Sequence, residues 1–174
     1  MRSGQIAVGS ILVSSLLVGG SVYYLQVYGF YETLEPQDRY QVALADGSAR
    51  LEIADFQGID SQSSPLRYRA CFSVEGAQTE FVAYPDATPL NAPAWFDCFD
   101  AAQIGADLET GVARGVLVAS NTRYGFDQVM ALYPDGRAFV WPQINACGAA
   151  YFDGNPVPAS CPLPPDAAAQ TPSN

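Results

Sequence analysis

The stretch SGQIAVGSILVSSLLVGGSVYYLQVYGFY, residues 3–31, decides the architecture of this chain because it contains no charged side chain. It is long enough for one helix to cross a bilayer. Taking Ile6 to Val27 as the spanning part gives roughly 33 Å at 1.5 Å per residue, which matches the hydrocarbon core. We therefore predict a transmembrane anchor over residues 1–31, with the rest of the chain tethered to the membrane.

The competing interpretation of this stretch is a cleaved signal peptide. A signal core is shorter and ends at small residues, whereas this run continues through the bulky residues 22–28, VYYLQVY. We therefore expect a retained anchor. Arg2 precedes the run, while Glu32 and Glu35 follow it. The positive-inside rule then places the N-terminus in the cytoplasm and the remaining domain in the periplasm or its equivalent.

Two groups of side chains in the anchor indicate contacts beyond lipid. Small residues at helical spacing predict a face that admits a second helix closely and offers it hydroxyl groups, although an isolated anchor also tolerates small residues. Aromatic residues at the C-terminal end are typical of a belt at the outer membrane interface. The predicted helix-packing face comprises Ala7, Ser10, Ser14, Ser15, Gly19 and Ser21, and the predicted interface aromatics are Tyr23, Tyr24, Tyr28, Phe30 and Tyr31.

The composition after residue 31 excludes several classes of function. This part carries all 18 acidic residues and seven of the eight arginines, so its net charge is 7 − 18 = −11. Nucleic acid is an improbable partner, because phosphate binding needs clustered cations. The chain has no histidine and no lysine. The commonest general base, the commonest metal ligand and every histidine triad are therefore excluded.

Alternating polar and apolar residues predict a mainly antiparallel β domain of the α+β class with one short helix over residues 39–152. A polar linker, residues 32–38, precedes it, and a Pro/Ala-rich extended tail, residues 153–174, follows it. The helix is predicted over residues 101–109, with Asp100 as its N-cap and with Ile104 and Leu108 facing inward. The predicted strands cover residues 39–44, 49–54, 66–74, 79–84, 115–119, 128–133 and 137–141.

Four cysteines in an oxidising compartment predict structural disulfides, for which three pairings are formally possible. We prefer Cys71 with Cys98 and Cys147 with Cys161, which would fasten the segment around residue 98 to a strand and the tail to the last strand. No C-x-x-C spacing occurs. Asp97 and Asp100 could be read as a glycosidase pair, but their spacing at a helix start favours a cap and a solvated carboxylate. We therefore expect no catalytic residue, no metal site and no cofactor.

Several stretches of the chain carry a resemblance to a known family: the N-terminal span, the strand ACF at residues 70–72, APAWFDCFDAAQIGADLETG at residues 92–111 and YGFDQVMALYPDGRAFVWPQIN at residues 124–145. Together they resemble an uncharacterised family of small alphaproteobacterial single-span membrane proteins with a periplasmic domain, whose members are sometimes labelled histidine kinases. That label does not apply to this chain, which has no phosphoacceptor histidine. The resemblance implies a location in the bacterial inner membrane and brings no activity.

These observations favour a non-catalytic accessory subunit of a larger bacterial membrane complex, with a respiratory complex as one candidate. Its helix would pack against membrane subunits, its domain would cover their periplasmic face, and its acidic surface could receive a basic soluble protein such as a carrier cytochrome. The alternative is an independent membrane-anchored periplasmic binding or assembly factor. A third hypothesis, an enzyme, needs a carboxylate, tyrosine or arginine site in an apolar pocket.

Overall fold

A long apolar helix stands at the N-terminus, as predicted. The computed structural model describes residues 3–44, 47–75 and 81–165. Helix α1 spans Ser3–Tyr24 and continues into one π-helical turn, Leu25–Gly29, and none of its residues is buried. Within the described residues, Ser3–Gly29 is the single helix long and apolar enough to cross a membrane.

An antiparallel sheet of seven strands, with two short helices, forms the domain that the described residues build after α1. The strands pair in the order β1-β3-β4-β7-β6-β5, and β2 pairs with β3 beside β1. The elements are β1 (Glu32–Thr33), β2 (Arg39–Leu44), β3 (Gly47–Asp60), β4 (Arg69–Val74), α2 (Ala101–Glu109), β5 (Arg114–Arg123), β6 (Phe126–Leu132), β7 (Arg137–Ile144) and α3 (Ala146–Phe152). This confirms the predicted fold class, and α3 is an addition to it.

The sheet buries a different hydrophobic cluster on each of its faces. Strand β4 shows the division, because Ala70 and Phe72 enter the first cluster while Cys71 enters the second. This is the separation that the alternation of residues 66–74 predicts. The first cluster is enclosed as the sheet curls, which brings β2 into contact with β5. The second contains the fully buried Trp141 and lies beneath α2, whose Ile104 is buried.

Helix α2 begins where the sequence predicts, because the Asp100 carboxylate accepts hydrogen bonds from the backbone N–H groups of Ala102 and Gln103. The Gln103 side chain donates to Asp107 one turn further on. Both preferred disulfides, Cys71–Cys98 and Cys147–Cys161, are confirmed. The first joins β4 to the loop before α2, and the second joins α3 to the proline-rich segment after it.

Two details differ from the sequence-based expectations. The predicted linker, residues 32–38, begins with β1, which pairs with the end of β3. The strand predicted over residues 79–84 does not continue a hairpin with β4 in its described part, residues 81–84. Phe81 instead bridges Leu44 and Ala83 bridges Val116, because β3 and β7 already occupy both edges of β4.

The tail and two turns are described only in part. Residues 153–164 contain no helix or strand. Residues 1–2, 45–46, 76–80 and 166–174 lie outside the described residues.

The first disulfide generates a prediction about the loop that contains residue 95. Replacing Cys71 and Cys98 by alanine removes a bridge across 27 residues, so the free energy of unfolding should fall by about 3 kcal/mol and the melting temperature with it. The emission of the part-buried Trp95 should also shift to the red, because its loop loses the covalent tie to β4. The matched variant Cys147→Ala/Cys161→Ala should lower stability without that spectral shift. Near-ultraviolet circular dichroism and tryptophan fluorescence of the full chain test this, and a first variant that melts and emits like the parent protein contradicts it.

Candidate functional site at the junction of helix and domain

The junction forms where α1 ends, because the end of a helix leaves backbone carbonyls without partners inside the helix. The π-helical turn satisfies some of them locally, since Phe30 N–H donates to the Leu25 carbonyl and Tyr31 N–H to the Tyr28 carbonyl. The domain supplies donors to two others. The Trp95 indole N–H donates to the Val27 carbonyl at 2.7 Å, and the Arg67 guanidinium donates to the Gln26 carbonyl at 3.4 Å.

Aromatic rings surround the indole of Trp95 at this junction. Tyr28 stacks on it, with ring centroids 6.1 Å apart and an interplanar angle of 21°. Tyr31 presents an edge to it at 5.8 Å, and the Arg67 guanidinium lies 5.2 Å from the centre of the Tyr31 ring. Such contacts stabilise in addition to area burial. The helix end is therefore held to the domain by two hydrogen bonds, from Trp95 and Arg67, and by the packing of Tyr28 and Tyr31 against the Trp95 indole.

A buried arginine positions the loop that carries Trp95. Arg69 is 4% exposed, and its guanidinium donates to the carbonyls of Leu90 and Asn91 at 3.0 and 2.9 Å. It also donates to the carbonyls of residues 66 and 68 at 2.8 and 2.6 Å. Burial lowers the pKa of Arg69 to about 10, so the group remains a cation at neutral pH. The loop is thus fixed by Arg69 before Trp95 and by the Cys98 disulfide after it.

A cavity of about 510 Å³ adjoins Trp95, and we call it the junction cavity. Its volume is within the range of small-molecule sites. The polar groups in its lining include the carboxylates of Glu35 and Asp97. The lining residues are Thr33, Leu34, Glu35, Pro36, Phe56, Gln57, Gly58, Ile59, Trp95, Phe96 and Asp97.

The floor of the junction cavity comes from an irregularity in β3. The register with β4 shifts between Ala54 and Gln57, and Asp55 has a φ of 55°, which is in the left-handed region. The Phe56 ring consequently lies over Gly58, where an added Cβ would come within 2.7 Å of it. A β-bulge of this kind redirects one side chain from the regular alternation of a strand. The cavity lies between this part of β3 and residues 33–36 of the linker, which also line it.

A second polar cluster surrounds the buried carboxylate of Asp127. Its oxygens accept from the Asn121 backbone N–H at 2.9 Å, the Asn145 side chain at 2.7 Å and the Tyr84 hydroxyl at 3.3 Å. The Asn145 side-chain oxygen in turn caps α3 by accepting from Gly148 N–H. The cluster therefore ties residue 121 of β5 and the start of α3 to one carboxylate.

A third cluster contains two tyrosines beside a cavity of about 180 Å³. The hydroxyls of Tyr40 and Tyr68 are 2.8 Å apart, and the Gln128 amide donates to Tyr40 at 3.1 Å. Burial raises the pKa of Tyr68 to about 12 and raises that of Tyr40 as well. Both hydroxyls are therefore protonated at neutral pH, and neither is an activated base. Within the described residues no group of three His, Cys, Asp or Glu side chains is placed to hold a metal ion.

The small residues of α1 are exposed, but their hydroxyls are already used inside the helix. Ser10, Ser14 and Ser21 donate to the carbonyls four residues earlier at 3.0, 2.8 and 2.7 Å. The hydroxyl oxygens can still accept hydrogen bonds from a partner helix, so the predicted packing face stays a prediction. What the face offers is a shallow surface, since a Cβ added at Gly9 or Gly19 would meet nothing within 4 Å.

The structure divides the predicted interface aromatics into two sets. Tyr28 and Tyr31 contact Trp95, and Tyr24 stacks on Tyr28 at 5.9 Å. Tyr23 and Phe30 form the second set, although exposure does not separate the two sets, because Tyr24 and Tyr28 are exposed as well. No role for Trp95 was predicted from the sequence. The signal that could have found it is a tryptophan two residues after Pro93 and three before the disulfide-bonded Cys98, because such a loop holds an indole in a fixed position.

These features define a class of protein in which a disulfide-bonded antiparallel domain is fixed to the end of one long apolar helix. Within that class, the chain belongs to the family of unknown function DUF6446, whose model matches residues 40–162. The matched residues include Trp95, Arg69 and all four cysteines. Neither the curated proteins nor the solved structures contain a match to this chain.

The junction predicts that Trp95→Phe loosens the end of the helix. Phenylalanine keeps a ring in place but leaves the Val27 carbonyl without its donor, at a cost of about 1 kcal/mol. Amide hydrogen exchange at Phe30 and Tyr31 should then accelerate by about fivefold. Tyr23→Phe is the matched control, because it also removes a polar hydrogen from an aromatic residue but at an exposed position. Unchanged exchange in Trp95→Phe, or equal acceleration in both variants, contradicts the assigned role of the indole.

Proposed function

We propose that this protein is a non-catalytic accessory subunit of a larger bacterial membrane complex. Its helix packs against membrane subunits, and its domain covers the periplasmic face of that complex. The observation that carries the proposal is the combination of a fully exposed helix with a fixed junction. A passive tether needs no defined angle to its domain. A subunit that must place its domain over a partner does need one, and the Trp95 hydrogen bond supplies it.

The exposed face of α1 supports helix packing in the bilayer. Association of helices in lipid depends on close van der Waals approach, which small residues allow. Ser10, Ser14 and Ser21 lie on one side of α1, and their internal hydrogen bonds leave no hydroxyl hydrogen that would need lipid or a partner. This face can therefore meet another helix without a desolvation penalty.

The placement of the domain in the periplasm is supported by charge and by cysteine chemistry. Arg2 precedes the helix and the acidic residues follow it, which is the pattern of an inward N-terminus. Two disulfides are typical of an oxidising compartment. The net charge of −11 after residue 31 extends the proposal to a weaker second contact with a basic soluble protein, such as an electron carrier of a respiratory complex.

The proposal assigns no catalytic role to this chain. The polar clusters of the described domain serve its folding: Arg69 binds carbonyls, Asp127 holds two turns, and Tyr40 with Tyr68 form a protonated pair. These assignments support a subunit whose chemistry lies in its partners.

The second candidate function is an independent membrane-anchored periplasmic binding or assembly factor. The junction cavity favours it, because a space of about 510 Å³ with two carboxylates could hold a ligand without any partner subunit. Replacing residues 1–24 by an unrelated spanning helix distinguishes the two candidates. An accessory subunit loses its partners in this chimaera, whereas an independent factor keeps its function.

The proposed packing face predicts that Ser14→Leu weakens the complex. Overpacking a close contact costs about 1–3 kcal/mol, so recovery of partners should fall by at least fivefold. Leu16→Phe is the matched control, because at about 100° per residue it adds bulk on nearly the opposite side of the helix. Mass spectrometry of the complex eluted in gentle detergent with a tagged copy measures the stoichiometry. Recovery of the parent protein as a lone monomer, or equal loss in both variants, contradicts the proposal.

A further inference from the structure

The junction cavity has no role in fixing the helix to the domain, although Trp95 belongs to both. We propose that this cavity binds the head group of a zwitterionic phospholipid that carries a primary ammonium, such as an ethanolamine phospholipid. The inference rests on the membrane placement proposed above but needs no partner subunit.

The level of the cavity relative to the helix points to a lipid head group. Trp95 lines the cavity and donates to the carbonyl of Val27. Val27 is the last residue of the roughly 33 Å span that matches the hydrocarbon core. The cavity therefore lies beside the outer interface, where head groups are and where acyl chains begin. The link between the cavity and the helix is Trp95, which lines the first and donates to the second.

The charges at the cavity select for an ammonium group. Glu35 and Asp97 are in the lining, and the lining contains no arginine. A primary ammonium donates three hydrogen bonds and so suits two carboxylates. An anionic head group would instead be repelled by these two carboxylates. The chain after residue 31 carries a net charge of −11, which adds to that repulsion. Electrostatics thus favour a zwitterionic lipid over an anionic one.

The surroundings also suit the rest of a zwitterionic head group. Trp95 and Phe96 are among the lining residues, and aromatic rings attract ammonium groups. Arg67 is not among the lining residues and lies next to Tyr31, whose ring contacts Trp95. Leu34, Phe56 and Ile59 provide apolar surface for the start of the acyl chains. The ammonium group of the lipid and the start of its acyl chains therefore each have a matching neighbour in the lining.

The experiment reconstitutes the full chain into phosphatidylcholine vesicles that contain an equal fraction of either phosphatidylethanolamine or phosphatidylglycerol. The added lipid is brominated near the head-group end of its acyl chains, so that it quenches a nearby tryptophan. Trp95 reports on the cavity, whereas Trp141 is fully buried in the domain and supplies a constant background. The brominated ethanolamine lipid should be enriched around Trp95 by about fivefold over the glycerol lipid, the factor that favourable surface charge pairs provide.

Two variants assign any preference to the cavity. Glu35→Gln/Asp97→Asn should abolish the preference while leaving the near-ultraviolet circular dichroism unchanged. Glu75→Gln/Glu109→Gln removes the same charge from exposed positions elsewhere and should keep it. Equal quenching by the two lipids, or a preference that survives in the first variant, overturns the lipid site while leaving the membrane placement intact. Failure of the protein to float with the vesicles overturns the membrane placement and the lipid site together.

Discussion

The hydrogen bond from the Trp95 indole to the Val27 carbonyl joins the two parts of this protein. Its energy is modest, on the order of 1 kcal/mol, but its geometry is strongly determined. Arg69 fixes the backbone of the loop before Trp95, and the Cys71–Cys98 bridge fixes the loop after it. Both supports originate on β4, a strand paired on both sides. The core of the sheet therefore determines the position of the helix end.

The buried charges of the domain are used to hold backbone rather than to pair with each other. Arg69 takes four carbonyl oxygens as partners, and the Asp127 carboxylate accepts from a backbone N–H and two side chains. A buried charge without hydrogen bonds would be costly. These hydrogen bonds offset the cost of burying the two charges and fix irregular segments of backbone. Arg69 holds residues 90–91, and Asp127 holds residues 121 and 145. A domain stiffened in this way is suited to transmitting a fixed orientation from its helix.

The sequence predicted those parts of the fold in which local pattern and tertiary context agree. Alternation in residues 66–74 assigned β4 to two faces correctly, Asp100 marked the start of α2, and the four cysteines paired as preferred. Helix α3 was missed although Asn145 is a good N-cap, because Gly148 and the prolines that follow lower the helical signal. Residues 81–84, the described part of another predicted strand, bridge β2 and β5 and do not pair with the preceding β4, because strand β7, far along the chain, occupies that edge.

The candidate site was less predictable for a physical reason. It depends on a contact between residues 27 and 95, and no periodicity or spacing encodes a pair so distant in the chain. The aromatic belt was recognised as a group, but which of its rings contact Trp95 depends on where the loop places that indole. The junction cavity likewise depends on a bulge at Asp55, whose positive φ leaves no clear mark in the sequence.

The central claim is that helix and domain form one rigid unit, and a distance measurement tests it most directly. All four native cysteines are in bridges, so spin labels can be attached to cysteines introduced at Leu12 in α1 and at Glu109 in α2. Pulsed electron paramagnetic resonance of this doubly labelled chain in lipid nanodiscs should give a single narrow distance distribution. A broad distribution, as from a domain that swings on a flexible linker, would contradict the account.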